Sequence, residues 1–349
     1  MKAVIKVIIK ENKKDDIAFI NVNNENGLTI TLCSFGASIY DLKFIDKNNN
    51  LESIVLYPSN INDFYFSDGY YGKCVGRFSG RIDDAKCRID NQDYFLDKNW
   101  NGINSLHGGY QGISFQNFSY DIIKFNDRLE VVFSYYEKEN LLPGDVNYKI
   151  TYQIMKNNEI NLLFEASTNK DTLVNLTNHT YFNLSGDIKE NIMNQRLFLF
   201  CDKYTDLNNN LITTKIDYVN DIFDFRKGMK IGKHINDEYL QNHTARGYDH
   251  CWLKEDTNND LIGVILDEKS GRRLSVYSSY PAIVCYAGCY PKDFDYNHGI
   301  KIDQYYSLCL ECQYVPNGIN MEGVDKAILK KEDRYNHYIK YKFEVVNND

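Results

Sequence analysis

Apolar and polar positions alternate with a period of two along most of this chain. Leu28-Thr29-Ile30-Thr31-Leu32 follows directly on Gly27, which marks a turn, and predicts a strand. Leu129, Val131, Phe133 and Tyr135 share one face of another. Tyr148, Ile150, Tyr152 and Ile154 alternate with Lys149, Thr151 and Gln153, and Ile160, Leu162, Phe164 and Ala166 follow a turn at Asn157-Asn158. That spacing predicts a hairpin from Tyr148 to Ala166. A second hairpin runs through Leu261 to Leu266, turns at Lys269-Ser270-Gly271 and returns through Leu274, Val276 and Tyr277. Helical periodicity is scarce, with short turns expected only near Ser59 to Phe66 and Asn236 to Gln241. Strand runs spaced by turn signals predict an all-β sandwich or barrel. No composition break marks a linker and no repeat is visible, so residues 1–349 read as one domain.

One strand departs from plain alternation. Leu308 to Val315 is apolar except for Glu311 and Gln313, and parity puts Cys309, Glu311 and Gln313 on one face, Leu310 and Cys312 on the other. A carboxylate there either faces water or floors a pocket, because burial without a partner is costly. The same parity sends the thiols of Cys309 and Cys312 to opposite faces, which argues against a shared zinc. No metal is expected.

Composition narrows the class of function. A net charge of −8 and scattered lysines argue against nucleic acid or an anionic membrane as partner. The apolar start of MKAVIKVIIKENKKDD is broken by Lys6 and too short for a signal or a membrane span, and no later stretch is long enough. Nine cysteines then read as free thiols in a cytosolic protein, and sequons such as Asn178-His179-Thr180 carry no meaning for glycosylation. The 28 tyrosines and 19 phenylalanines fit strands first and sugar platforms second.

Candidate chemistry gathers in four more polar clusters. Asn175 to Gly186 sets His179 among three asparagines and two threonines beside Leu176, Phe182 and Leu184, a mixture suited to a sugar pocket or to a histidine held by backbone. Gly76 to Ile82 holds Arg77 and Arg81 between glycines and reads by itself as a surface turn. Asn104 to Gly109 is a loop with an exposed His107, and Tyr248-Asp249-His250 leads into an apolar strand.

Taken together and in order, GRFSGRI at 76–82, NSLHGG at 104–109, NLTNHTYFNLSG at 175–186, YDHCWL at 248–253 and CLECQYVPNGIN at 309–320 resemble the aldose 1-epimerase (galactose mutarotase) family. The resemblance implies a large antiparallel β-sandwich, a free aldose such as galactose or glucose as substrate, and no cofactor. It implies Glu311 as general base and His179 as general acid, with Arg81, His107 and Asp249 binding sugar hydroxyls. Gly80 stands where the family often has Asn, Leu141-Leu142-Pro143-Gly144 replaces a Gly-aromatic-Pro-Gly loop, and Cys312 replaces a common Thr. These departures bear on sugar preference. Anomer exchange needs one group to take the C1 hydroxyl proton and another to protonate the ring oxygen, work suited to a carboxylate and an imidazole. Three rival readings are a non-catalytic sugar-binding or regulatory module, a glycoside hydrolase with Asp249 as its second carboxylate, and a sugar-phosphate epimerase using Arg77 and Arg81.

Overall fold

The computed structural model describes residues 2–8, 16–243, 246–255 and 258–346, leaving Lys13-Lys14 outside the described residues. Nearly all its regular structure is antiparallel β. A nine-stranded sheet runs in the order Ser119–Lys124, Arg128–Glu137, Val146–Met155, Glu159–Thr168, Tyr335–Val345, Arg272–Ser278, Leu261–Asp267, Arg196–Leu199 and Met229–Lys230. A six-stranded sheet runs Tyr181–Phe182, Leu308–Gln313, Ala282–Tyr286, Asp249–Leu253, Lys203–Leu207 and Thr213–Tyr218. A five-stranded sheet is built by residues 2 to 53.

The alternation fixes these registers. In the first expected hairpin Tyr148 lies opposite Ala166 and Ile154 opposite Ile160, which sends Tyr148, Ile150, Tyr152, Ile154, Ile160, Leu162, Phe164 and Ala166 to one face. The second hairpin pairs Leu266 with Arg273 and Ile265 with Leu274, with a bulge near Leu261. Two short helices, Ile61–Phe66 and Glu238–His243, fall where the helical turns were expected. Asn60 caps the first by accepting from the Asn62 N–H. None of the described helices is long and apolar enough to cross a membrane.

Leu129, Val131, Phe133, Ile150, Ile160, Leu274, Ile339 and Tyr341 of the large sheet share one core with Leu308, Leu310, Cys312, Ile283, Cys285 and Trp252 of the six-stranded sheet. The two sheets thus form the sandwich, each hiding an apolar face against the other. Strand parity then leaves the opposite face of the six-stranded sheet to Tyr181, Cys309, Glu311, Gln313, Val284, Tyr286, Asp249 and Cys251. Loops and the short strand pair Arg81–Ile82 with Ser105–Leu106 cover this face.

Candidate active site

A cavity of about 510 Å³ lies between that sheet face and the covering loops, and Arg81, His107, His179, Asp249 and Glu311 all line it. Glu311 comes from the middle of its strand, directly opposite Val284, and is 2% exposed. The solvated-face reading of this strand is therefore excluded. Its Oε1 lies 3.4 Å from His179 Nε2, and its Oε2 has no partner among the described residues. Burial, reinforced by the charge of Asp249, pushes the Glu311 carboxyl well above its ordinary range.

His179 sits between the two-residue strands Thr177–Asn178 and Tyr181–Phe182. Its N–H donates to the Lys73 carbonyl and its own carbonyl accepts from the Gly72 N–H, both at 2.9 Å. The ring stacks on Tyr181 at 4.9 Å and faces Tyr70 at 6.1 Å, while Nδ1 lies 3.4 Å from Cys309 Sγ. Burial, with the nearby Arg81 charge, lowers its pKa to about 4. The backbone-held histidine and the pocket histidine are thus the same residue, fixed by its main chain with Nε2 turned to Glu311.

The asparagines around it do something different. Asn175 donates to the Tyr314 carbonyl and accepts from the Tyr314 N–H, Asn178 donates to the Gly72 carbonyl, and Asn183 donates to the carbonyls of Glu190 and Tyr306. They bracket backbone around the site, and of this segment His179 and Tyr181 line the cavity. Amides satisfy buried main chain well, since each offers donors and an acceptor in one plane.

His107 is 7% exposed, not solvated as its loop composition suggested. It adopts φ 50°, and Gly108 and Gly109 follow at 81° and 76°, a left-handed run that delivers the imidazole inward. A Cβ at Gly108 would stand 2.0 Å from the Gly76 carbonyl oxygen, so only glycine fits. The Gly80 N–H donates to His107 Nδ1 at 3.2 Å, which puts the neutral ring's proton on Nε2, toward the cavity. Burial, with His179 and Arg81 adding to it, lowers its pKa well below the ordinary value.

The two arginines of GRFSGRI part company. Arg81 Nη2 lies 3.1 Å from Asp249 Oδ2, and its guanidinium lies 4.4 Å from the centre of the Trp100 ring. Burial raises the Asp249 carboxyl while Arg81 opposes the shift. Arg77 is 3% exposed and structural: it pairs with Glu137 and donates to the carbonyls of Pro143 and Gly144 and to the Thr172 hydroxyl. The surface-turn expectation for this segment fails because its partners lie 60 to 95 positions away.

Sequence reasoning missed Trp100, Tyr70 and Tyr286, all of which line the cavity. The aromatic excess was the available signal, but it could not say which rings face the site. His107, His179 and Glu311 bring possible ligand atoms within 4.8 Å of one another. As a metal triad the group is poor, because one His107 nitrogen accepts from Gly80 and the other carries the proton. Two donors remain, against the three protein ligands usual for catalytic zinc.

The family model described as aldose 1-epimerase matches residues 19–342. The galactose mutarotase of Mus musculus is 28% identical over 322 residues, covering 91% of this chain and 92% of the relative. The aldose 1-epimerase of Streptococcus thermophilus is 28% identical over 347 residues, covering 96% and 97%. Among solved structures, the GalM/aldose epimerase homologue from C. elegans superposes with a TM-score of 0.84 at 28% identity, covering 94% of this chain and 99% of that one. Galactose 1-epimerase from Lactobacillus acidophilus gives 0.85 at 23% identity, covering 99% of each, and bears on the fold.

Proposed function

Because the chain belongs to the aldose 1-epimerase family, we propose that Glu311 and His179 carry its reaction, the exchange of α and β anomers of free hexoses such as galactose and glucose. Glu311 takes the C1 hydroxyl proton while His179 Nε2 gives one to the ring oxygen, and the C1–O5 bond breaks. The open aldehyde turns about C1–C2. On closure the C5 hydroxyl returns its proton to His179, and Glu311 protonates the new C1 oxygen.

The observation that carries this reading is the 3.4 Å approach of His179 Nε2 to Glu311 Oε1 at the cavity wall, where both residues are at most 5% exposed. Burial favours the neutral pair, with the shared proton resting on Glu311, so the cycle begins once that proton passes to His179 Nε2 3.4 Å away and leaves Glu311 a carboxylate. One proton is what the cycle needs, since each transfer is matched by the other. Arg81, His107 and Asp249 bind and orient the hydroxyls around this pair. The Arg81–Asp249 contact disfavours Asp249 as a hydrolase nucleophile, and the partners of Arg77 disfavour it as a phosphate ligand. The reaction uses no metal or cofactor.

The reading extends to a single domain spanning residues 1–349 and a cytosolic location, with a free aldose as the partner it requires. One core drawing on strands from Ile20 to Phe343 supports the first, and nine buried free thiols support the second. The test is polarimetry of freshly dissolved α-D-galactose and α-D-glucose with and without the protein. Acceleration of the decay of optical rotation is expected. Binding without acceleration would return the sugar-binding module in its place.

A further inference from the structure

Gln313 is the third residue of the Cys309, Glu311, Gln313 face, is fully buried, and lines the same cavity. Neither its amide oxygen nor its amide nitrogen has a partner among the described residues. A primary amide offers two donor and two acceptor positions, and burying such a group unsatisfied is costly. Asn175, Asn178 and Asn183 each have backbone partners, and buried Asn104, whose amide nitrogen has none among the described residues, still accepts from the Asp84 N–H. Gln313 stands apart from them in facing the cavity with both atoms free.

Its position fixes what it can reach. Residues two apart on a strand are separated by about 6.7 Å, from a rise of about 3.3–3.4 Å per residue. Cys309 Sγ contacts His179 Nδ1, and Glu311 Oε1 contacts His179 Nε2, so His179 lies on the Cys309 side of Glu311. Gln313 lies on the other side. With O1 of the sugar at Glu311 and the ring oxygen toward His179, the ring carbons on the Gln313 side are C2 and C3. Nearby, Gly80 adopts φ 74° and a Cβ there would stand 2.6 Å from Pro316 Cβ. Position 80 thus cannot supply a competing side chain, and Pro316 lines the cavity beside Gln313.

We propose that Gln313 is a sugar-positioning residue that grips the C2–C3 hydroxyl pair, its carbonyl accepting from one hydroxyl and its N–H donating to the other oxygen. The inference rests on the assignment of O1 to Glu311 and of the ring oxygen to His179. It adds a specificity determinant for aldoses at positions next to the reacting carbon.

The experiment compares the parent with Gln313→Met, which keeps the length of the side chain and removes both hydrogen-bonding atoms, and with Gln313→Asn, which keeps the amide one methylene short. Binding of 1,5-anhydro-D-galactitol, which lacks the anomeric hydroxyl and cannot turn over, is measured by calorimetry. Gln313→Met should weaken it about tenfold, the worth of one or two net hydrogen bonds, and Gln313→Asn by less. The melting temperature of sugar-free Gln313→Met should equal or exceed that of the parent, because an unpaired buried amide has been removed. In the parent, removing the C2 hydroxyl of this probe should cost affinity, and in Gln313→Met that cost should largely disappear. Unchanged affinity in Gln313→Met, or a lower melting temperature without loss of affinity, overturns the proposal. So does an undiminished cost of removing the C2 hydroxyl. A parent inactive in polarimetry would instead count against the epimerase reading, which this binding measurement does not need.

Discussion

The two faces of the six-stranded sheet are made by the same strands, residue by alternate residue, yet they obey different rules. Toward the large sheet stand Leu308, Leu310, Cys312, Ile283, Cys285 and Trp252, all at most 1% exposed and packed in one apolar core. Toward the loops stand Glu311 and Gln313, at most 2% exposed but polar and each with an atom that has no partner among the described residues, beside Asp249, whose side chain is 10% exposed. Even the dry face has one such atom, Nε2 of His250, whose Nδ1 accepts from the Asp249 N–H. The difference teaches that burial alone does not mark a core. One face has spent its surface on packing, and the other keeps polar groups turned to a cavity. Stability and chemistry are separated by a single step of strand parity.

The sharpest way to test this contrast is to change Glu311 on the reactive face. Glu311→Gln keeps shape and should lower turnover by about 10²–10⁴ without unfolding the chain, read by polarimetry beside a thermal melt. His179→Asn should do likewise, and the double variant should lose far less than the product of the two. On the dry face, Leu310→Ala should cost about 2–5 kcal/mol in urea unfolding while the folded fraction turns over at close to the parent rate. A large rate effect from Leu310→Ala would break the separation.

Smaller effects should appear in the pH dependence of stability, with opposite signs on the two faces. Burial raises the folded-state pKa of Glu311, so the unfolded chain releases this proton first as pH rises above about 4.5. Glu311→Gln should therefore gain stability relative to the parent as pH rises from there. Burial lowers the pKa of His250 to about 3, so below about 6.5 the unfolded chain takes up a proton the folded chain refuses. His250→Phe should gain relative stability as pH falls through that window. Urea midpoints at a series of pH values measure both slopes, and slopes of the same sign would contradict the assignment.

Much of this architecture was legible in the sequence because local alternation dictates it. The Tyr148–Ala166 hairpin, the Leu261–Tyr277 hairpin and the face shared by Cys309, Glu311 and Gln313 follow from period-two patterning and turn residues alone. What local pattern could not report was burial imposed from a distance. His107 reads as a loop histidine until Tyr70, His179 and the Gly80 N–H close around it. Arg77 reads as a solvated charge until Glu137 and Thr172 arrive from other strands. The asparagines near His179 looked like sugar ligands because their amides suit hydroxyls and peptide groups equally well, and composition cannot tell these partners apart. The five candidate residues were named through family motifs, which carry three-dimensional information that a single pattern lacks.

Glu311 presents one oxygen to His179, and the other has no partner among the described residues. The two anomers lie close in free energy, so the catalyst has no downhill product to favour and must serve traffic in both directions. A contact that held only one orientation of the C1 hydroxyl would stabilise that bound anomer and slow its departure without speeding the other's. A carboxylate with a second free oxygen can meet that hydroxyl on either side of the ring plane without a change of partner elsewhere. Its incompleteness is thus a form of impartiality, which a more fully bonded base would forfeit.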